Sequence, residues 1–152
     1  MGFRAQFIDD PYPVWNAIRS RLADDTGNLV TVGDFLGVFE NERMAGAFLI
    51  KRWNEHTYEI HGGVHPEYWG RGSQVVELAG RALFAGTPCL KIVAIIPAFN
   101  KLMRKCVTDL GMKQEGIVTK SFLKWMKMHD QFVYGITKGE SRCLPQRSEQ
   151  HS

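Results

Sequence analysis

The 152-residue chain has the composition of a folded domain, because 44% of its residues are hydrophobic and only 23% are charged. A chain of this length buries about two-thirds of its unfolded surface, which supports a single core. The net charge of +3 suits a small anionic ligand. It argues against a duplex-binding protein, which needs a clustered basic surface that this sequence lacks.

Membrane, export and metal signals are not recognisable in the sequence. No apolar run is long enough to span a bilayer, and the first ten residues contain no signal-peptide core. Two of the three cysteines, Cys89 and Cys106, lie in apolar segments, which predicts buried free thiols in a reducing compartment. No histidine lies at zinc spacing from a cysteine. We therefore expect a soluble, cytoplasmic protein without a metal.

The first half of the chain contains one predicted helix and four predicted strands. A strand over residues 3–8 is followed by Asp10, which is placed to cap a helix. The apolar stripe of that helix consists of Val14, Trp15, Ile18 and Leu22. After a polar loop over 24–34, strand-like runs cover residues 35–40, 44–52 and 57–64.

The second half contains two helices, a buried strand and a closing strand pair. Apolar residues recur at helical spacing from 75 to 83, and the apolar run 90–96 is typical of a strand buried on both faces. A further helix covers 100–110, with Gly111 as its C-terminal stop. The closing strands span 112–125 and 131–137, and His129 and Asp130 are placed in their connection.

The predicted element order is β-α-β-β-β-α-β-α-β-β. It indicates a mixed α/β (α+β) fold, with a central mixed sheet of six to seven strands and helices on both faces. The domain is expected to cover residues 1–138, because residues 139–152 are polar and lack periodicity, which is typical of a flexible C-terminal tail.

The segment from Val64 to Ser73 joins a strand to a helix through a glycine turn. Gly70 and Gly72 lack a Cβ atom, so an anion can come close to the main chain. The N-terminus of the following helix adds N–H groups and a favourable dipole. The segment lies at the carboxyl end of a strand, where open α/β sheets bind ligands. It predicts a phosphate-binding turn, and the alternative is an ordinary tight turn.

Glu59 and His61 lie two residues apart on the strand that enters this turn, so their side chains share one face. Imidazole titrates in the range that is useful for proton transfer. We interpret the two residues as a catalytic pair that relays a proton, with Glu59 as the better candidate for the base, and the alternative is that they form a structural hydrogen bond. The adjacent Gly62-Gly63 favours a β-bulge that parts the strand from its neighbour, or a plain kink.

The element order, Val64-x-Pro66 before the glycine turn, and Asn100 followed by Gly111-Met112 resemble the GNAT superfamily of N-acetyltransferases. The resemblance covers residues 3–137. It implies the GNAT fold, acetyl-coenzyme A as the donor and a catalytic glutamate at a position similar to that of Glu59. The short chain and its C-terminal segments are further similar to small GNAT-like proteins encoded by bacteriophages.

The resemblance also assigns residues to the donor. The pantetheine arm would enter between two parted strands and pair with the main chain near Val64 like an extra strand. Asn100 would contact the coenzyme, or would only cap its helix. The pyrophosphate would be held by main-chain N–H groups, with a charge-assisted contact from one side chain; the residues concerned are Gly70, Arg71, Gly72 and Ser73.

The sequence departs from the family pattern at three positions. Trp69 replaces an arginine or glutamine, and Gln74 replaces a small residue. Val107 lies where the family often has a tyrosine that protonates the leaving thiolate, and Tyr68, Cys106, Thr108 and Tyr134 are weak substitutes.

Two functional hypotheses follow. The first is an N-acetyltransferase that moves the acetyl group of acetyl-CoA to an amine of a small molecule or a protein. The alternative is a non-catalytic GNAT-like protein that serves in a phage particle or against a host protein, with the C-terminal tail as its contact. A second copy could pair with an exposed strand edge. Host cytoplasm or virion is the expected location if a phage encodes the chain. Nucleic acid and membranes are not expected partners.

Overall fold

The computed structural model describes residues 2–10 and 33–142 of the chain. These residues form one sheet of seven strands. In chain order, β1 to β7 are Arg4–Ile8, Asp34–Glu40, Arg43–Arg52, Thr57–Val64, Lys91–Pro97, Lys113–Lys124 and Lys127–Thr137. Their spatial order is β1-β2-β3-β4-β5-β7-β6. Neighbouring strands pair antiparallel except β4 and β5, which are parallel.

Four helical segments accompany the described part of the sheet. A 3-10 helix, Pro66–Arg71, and helix α1, Gly72–Gly86, connect β4 to β5. Helix α2, Lys101–Asp109, connects β5 to β6, and a short helix α3, Lys138–Arg142, follows β7. The predicted mixed α/β fold with a central βαβ unit is confirmed. Among the helices of residues 2–10 and 33–142, none is long and apolar enough to cross a membrane.

Some predictions concern residues that the structure does not describe. The helix with its stripe at 14–22, the loop over 24–34 except its last two residues, and the chain beyond 142 lie outside the described residues. The predicted tail begins with the helical turn α3. Thr137 caps this turn, since the Glu140 N–H donates to Thr137 Oγ1 at 3.1 Å and Glu140 Oε1 accepts from the Thr137 N–H at 3.0 Å.

The predicted connection between the closing strands is wrong. β6 and β7 are joined by only Trp125 and Met126, whose φ angles of 52° and 57° are left-handed. His129 and Asp130 consequently lie within β7, where His129 pairs with Phe122 of β6. Two positive φ angles define the tight hairpin turn that matches strand twist.

The main core fills the space between the sheet and helices α1 and α2. It contains the largest fully buried side chains of the described chain, among them Leu36, Phe48, Ile50, Tyr58, Leu83 and Ile92. A smaller cluster, formed by Phe35, Ala47 and Leu49, lies on the other sheet face. Because side chains alternate along a strand, Glu59 and His61 lie on the face of the smaller cluster, opposite α1 and α2.

Close packing joins the two helices of the main core. A Cβ atom on Gly72 would lie 2.9 Å from Cys106 Sγ, so only glycine allows α1 to meet α2 at this distance. Cys89 and Cys106 are buried free thiols, as predicted, and burial raises the pKa of both. Helix α2 ends as predicted, because Gly111 has a φ of 98°.

Candidate active site

Strands β4 and β5 part partway along their length. Their parallel pairing ends at Ile60 and Ala94. Beyond this pair, β4 continues with β3 as far as Val64, while β5 continues with β7 as far as Pro97. The space between the parted strands is called the gap, and the pair Ile60/Ala94 is its vertex. The parted strands that the resemblance implies are therefore present.

The parting does not come from the predicted bulge. β3 and β4 pair in unbroken register from Arg52/Tyr58 to Gly46/Val64, so the bulge at Gly62-Gly63 is wrong. Gly62 instead makes room for the core. A Cβ atom there would lie 2.2 Å from the ring of Phe48 and 2.4 Å from the Ala47 carbonyl oxygen.

The main chain of β4 presents polar groups to the gap. In an antiparallel ladder the N–H and C=O groups of alternate residues face opposite neighbours. The His65 N–H donates to the Ala45 carbonyl at 2.8 Å, so His65 faces β3. By alternation, Gly62 and Val64 direct their N–H and C=O groups toward β5, and thus into the gap. An extended amide chain in the gap could pair with these groups.

The glycine turn is a 3-10 helix, in which each N–H bonds to the carbonyl three residues earlier. The Gly72 N–H donates to the Trp69 carbonyl. The N–H groups of Gly70 and Arg71 fall within the same pattern. Ser73 lies in the first turn of α1, where a helix leaves N–H groups without a partner inside the helix. Of the predicted phosphate contacts, Ser73 is therefore best placed to offer its main-chain N–H.

The polar side chains of the turn are held by carboxylates from distant parts of the chain. Arg71 donates to both oxygens of Glu40, at 2.6 and 3.2 Å. The hydrogen bond from Arg71 holds the pKa of Glu40 below its ordinary value. Ser73 Oγ donates to Asp109 Oδ2 at 2.6 Å. Both side chains thus already have an anionic partner within the chain.

Trp69 lies at the open end of the gap. Its Nε1–H donates to the Val64 carbonyl at 2.9 Å, which is one of the groups that face the gap. The residue is nevertheless 49% exposed. Gln74, the other bulky departure from the family pattern, is exposed on α1.

Glu59 and His61 contact each other beside the vertex. His61 is the first residue of β4 beyond the last pair with β5. Its Nε2 contacts Glu59 Oε2, and Trp53 Nε1 donates to Glu59 Oε1 at 2.8 Å. Glu59 is only 9% exposed, and both of its oxygens are engaged. The sequence-predicted pair is therefore brought together.

The protonation of the pair follows from its contacts. Burial disfavours the charged carboxylate of Glu59, but hydrogen bonds from His61 and Trp53 outweigh burial and hold its pKa below the ordinary value. An ionised carboxylate only accepts, so the proton between the two side chains lies on His61 Nε2. A neutral imidazole in this state carries its lone pair on Nδ1. An imidazole oriented in this way by a carboxylate is an arrangement that can act as a general base.

The candidates for a thiolate-protonating acid differ in position. Cys106 is buried, and burial raises the pKa of its thiol. The Tyr68 hydroxyl points to Glu40 at 3.4 Å. Tyr134 pairs with Ala94 at the vertex, and its hydroxyl oxygen accepts from Arg104 at 3.1 Å, which leaves the O–H to donate. Tyr134 is therefore the best placed of these three.

Asn100 caps helix α2, which was the simpler of its two predicted roles. Its Oδ1 accepts from the Met103 N–H at 3.2 Å, at the first turn of α2. The predicted coenzyme contact of Asn100 stays a prediction. No group of three or more histidine, cysteine or acidic side chains that could hold a metal ion occurs among residues 2–10 and 33–142.

Sequence analysis did not identify three residues outside the predicted turn and catalytic pair that hydrogen-bond to their side chains. Trp53 donates a hydrogen bond to Glu59 of the predicted catalytic pair. Glu40 and Asp109 lie 31 and 36 residues from the side chains that they hold. The spacing of residues in the sequence cannot reveal such partners, because only the sheet and the packing of α1 on α2 bring them close to the turn.

The fold is similar to those of solved acetyltransferase structures. A GNAT-family acetyltransferase from Bacillus anthracis has a TM-score of 0.69 at 18% identity, covering 92% of this chain and 97% of that chain. Spermidine N-acetyltransferase from Vibrio cholerae, in complex with CoA and spermine, has a TM-score of 0.76 at 13% identity, covering 92% and 98%. The yncA protein from Salmonella typhimurium, solved with its cofactor acetyl-CoA, has a TM-score of 0.67 at 17% identity, covering 90% and 94%.

These similarities concern the fold. No protein-family model and no curated protein matches the chain. The chain spans nearly the full length of the three structures, at identities of 13 to 18%. It therefore has the GNAT fold that the sequence predicts.

Proposed function

We propose that the protein is an N-acetyltransferase that transfers the acetyl group of acetyl-CoA to an amine. The observation that carries this proposal is the contact of Glu59 and His61 beside the vertex of the gap. A base at this point can reach an acceptor amine while a thioester extends along the gap. Structural neighbours that were solved with CoA or acetyl-CoA support the choice of donor.

The residues around the gap fit the donor. The main-chain groups of Gly62 and Val64 would pair with the amides of the pantetheine arm. Ser73 and the N-terminus of α1 would hold phosphate, and Arg71 would join them after leaving Glu40. Gly70 would let a phosphate approach, since no atom lies within 4 Å of the position of a Cβ there. When bound, the donor supplies an activated acetyl group as a thioester.

His61 would move the proton. Its Nδ1 accepts the proton that the amine must lose before or during attack. Glu59 stabilises the resulting imidazolium, and Trp53 holds Glu59 in place through the indole N–H. In this scheme His61 is the base and Glu59 orients it, whereas the sequence favoured Glu59 as the base; the lowered pKa of Glu59 makes its carboxylate the weaker proton acceptor.

The acceptor would approach from the sheet face opposite α1 and α2, because Glu59 and His61 lie on that face. An amine of a small molecule or of a protein suits this chemistry. The Vibrio cholerae neighbour was solved with spermine, so polyamines are the first acceptors to test. The comparisons give no support to the non-catalytic alternative. The phage origin, the location, and partners at the tail or a strand edge stay predictions from the sequence.

Binding and turnover test this proposal separately. We expect acetyl-CoA to raise the melting temperature, with stabilisation that grows as RT ln(1 + [L]/Kd). We expect thiol release from acetyl-CoA to depend on an added amine, measured over a panel that starts with spermine and spermidine. A folded protein that shows no shift at millimolar acetyl-CoA would overturn the assignment of the donor.

A further inference from the structure

Trp69 contacts a main-chain group that the proposed donor requires. We propose that Trp69 is a gating residue, whose indole N–H and the pantetheine arm compete for the carbonyl of Val64. This inference rests on the proposed function and adds to it a residue that sets donor affinity. It also assigns a role to a side chain that departs from the family pattern.

The competition follows from direction and distance. The Val64 carbonyl points into the gap, because His65 faces β3 and neighbouring residues alternate. The indole Nε1 lies 2.9 Å from this oxygen. A strand-like partner in the gap would bring its own N–H to the same oxygen at a similar distance. The indole ring and an amide chain cannot both fill that position.

The gate can open by side-chain rotation alone. The turn around Trp69 is fixed by the 3-10 helix and by the buried ring of Tyr68. Trp69 itself is half exposed, so its indole can leave the gap without unfolding the turn. Donor binding would therefore exchange one hydrogen bond of the Val64 carbonyl for another.

The proposal predicts a gain in affinity when the indole N–H is removed. Trp69→Phe keeps an aromatic ring and deletes the donor, so acetyl-CoA no longer displaces a hydrogen bond. We expect acetyl-CoA to bind about threefold to tenfold more tightly, as one neutral hydrogen bond allows. Adenosine 3′,5′-bisphosphate lacks the pantetheine arm and should bind the wild type and the variant equally.

Isothermal calorimetry with both ligands tests the gate, with Trp125→Phe as the matched control. Trp125 is 65% exposed at the β6–β7 turn, so its substitution should change neither affinity. Equal or weaker binding of acetyl-CoA to Trp69→Phe would overturn the gate and leave the proposed function standing. An equal gain for both ligands would also overturn it, since that indicates a general change of the turn. Failure of both proteins to bind acetyl-CoA would overturn the proposed function together with the gate.

Discussion

The vertex within β4 and the glycine turn that follows β4 are built in different ways. At the vertex, Glu59 and His61 come from one strand and meet because residues two apart share a face. At the turn, three polar groups already have partners within the chain: Arg71 contacts Glu40, Ser73 Oγ contacts Asp109, and the Val64 carbonyl accepts from Trp69. The vertex thus already has the contacts that the proposed proton transfer requires. The side chains of Arg71 and Ser73 must leave these partners before they can contact an anion.

This difference separates two kinds of effect. Substitutions at the vertex should change turnover and leave donor binding intact. Substitutions in the strand and turn that line the gap should change stability or donor affinity. The following changes test that separation, in order of decreasing effect.

The largest effect is expected at the base. His61→Gln can still hydrogen-bond to Glu59 but cannot accept a proton, so kcat/KM for amine acetylation should fall about 10²- to 10⁴-fold. Acetyl-CoA affinity and the urea midpoint should stay close to those of the wild type. His56→Gln is the control, because His56 is an exposed histidine in the β3–β4 connection. A wild-type rate for His61→Gln would remove His61 from the mechanism.

The second effect concerns stability at the gap. Gly62→Ala places a Cβ atom against the Phe48 ring and the Ala47 carbonyl, and backbone atoms cannot yield easily. We expect a loss of about 3 kcal/mol in the free energy of unfolding, measured with urea.

Gly70→Ala is the matched control for this change. Its Cβ would meet nothing within 4 Å and its φ is not left-handed, so stability should change by about 0.5 kcal/mol or less. If a phosphate approaches the main chain there, acetyl-CoA affinity should nevertheless fall. Equal destabilisation by the two alanines would contradict the packing argument for Gly62.

Local patterns in the sequence predict the scaffold well, because strands and helices follow from periodicity over neighbouring residues. The strand Thr57–Val64 is predicted to the residue, and Asn100 and Gly111 mark the ends of α2 through the chemistry of caps. The turn of Trp125 and Met126 could not be predicted. Large side chains at left-handed φ angles carry no turn signature.

The contacts of the turn could not be predicted for a different reason. Glu40 reaches Arg71 only because β2 and the 3-10 helix meet across the fold, and Asp109 reaches Ser73 only because α2 packs on α1. Such pairs depend on the whole topology rather than on spacing. The glycines show the same limit, since Gly62 and Gly72 are required by contacts with Phe48 and Cys106.

The third effect is a pH dependence at the vertex. The pKa of Glu59 in the folded protein lies below its ordinary value of 4.5. A lowered carboxyl pKa contributes stability above the unfolded pKa, and this contribution is lost as the pH falls through the folded pKa. Glu59→Gln should therefore cost about 1 to 3 kcal/mol at pH 7, and the cost should shrink as the pH falls below the ordinary value of 4.5.

Urea titrations from pH 3 to pH 7 measure this difference. Glu55→Gln serves as the control, because Glu55 is exposed beside the same strand. A cost for Glu59→Gln that stays constant with pH would show that packing, rather than the charged hydrogen bonds of Glu59, stabilises the vertex.

The smallest effect concerns Asn100, which the resemblance assigns to the donor and the structure places in a helix cap. Asn100→Ala removes the acceptor for the Met103 N–H and should cost about 1 kcal/mol of stability. Asn100→Asp keeps the acceptor and adds a negative charge at a helix N-terminus, so stability should be retained. Because Oδ1 is engaged in the cap, we expect acetyl-CoA affinity to be the same in both variants and the wild type, measured by calorimetry. Weaker binding by Asn100→Asp at unchanged stability would instead place Asn100 in contact with the donor. The carboxylate would then repel a phosphate that the amide accommodates.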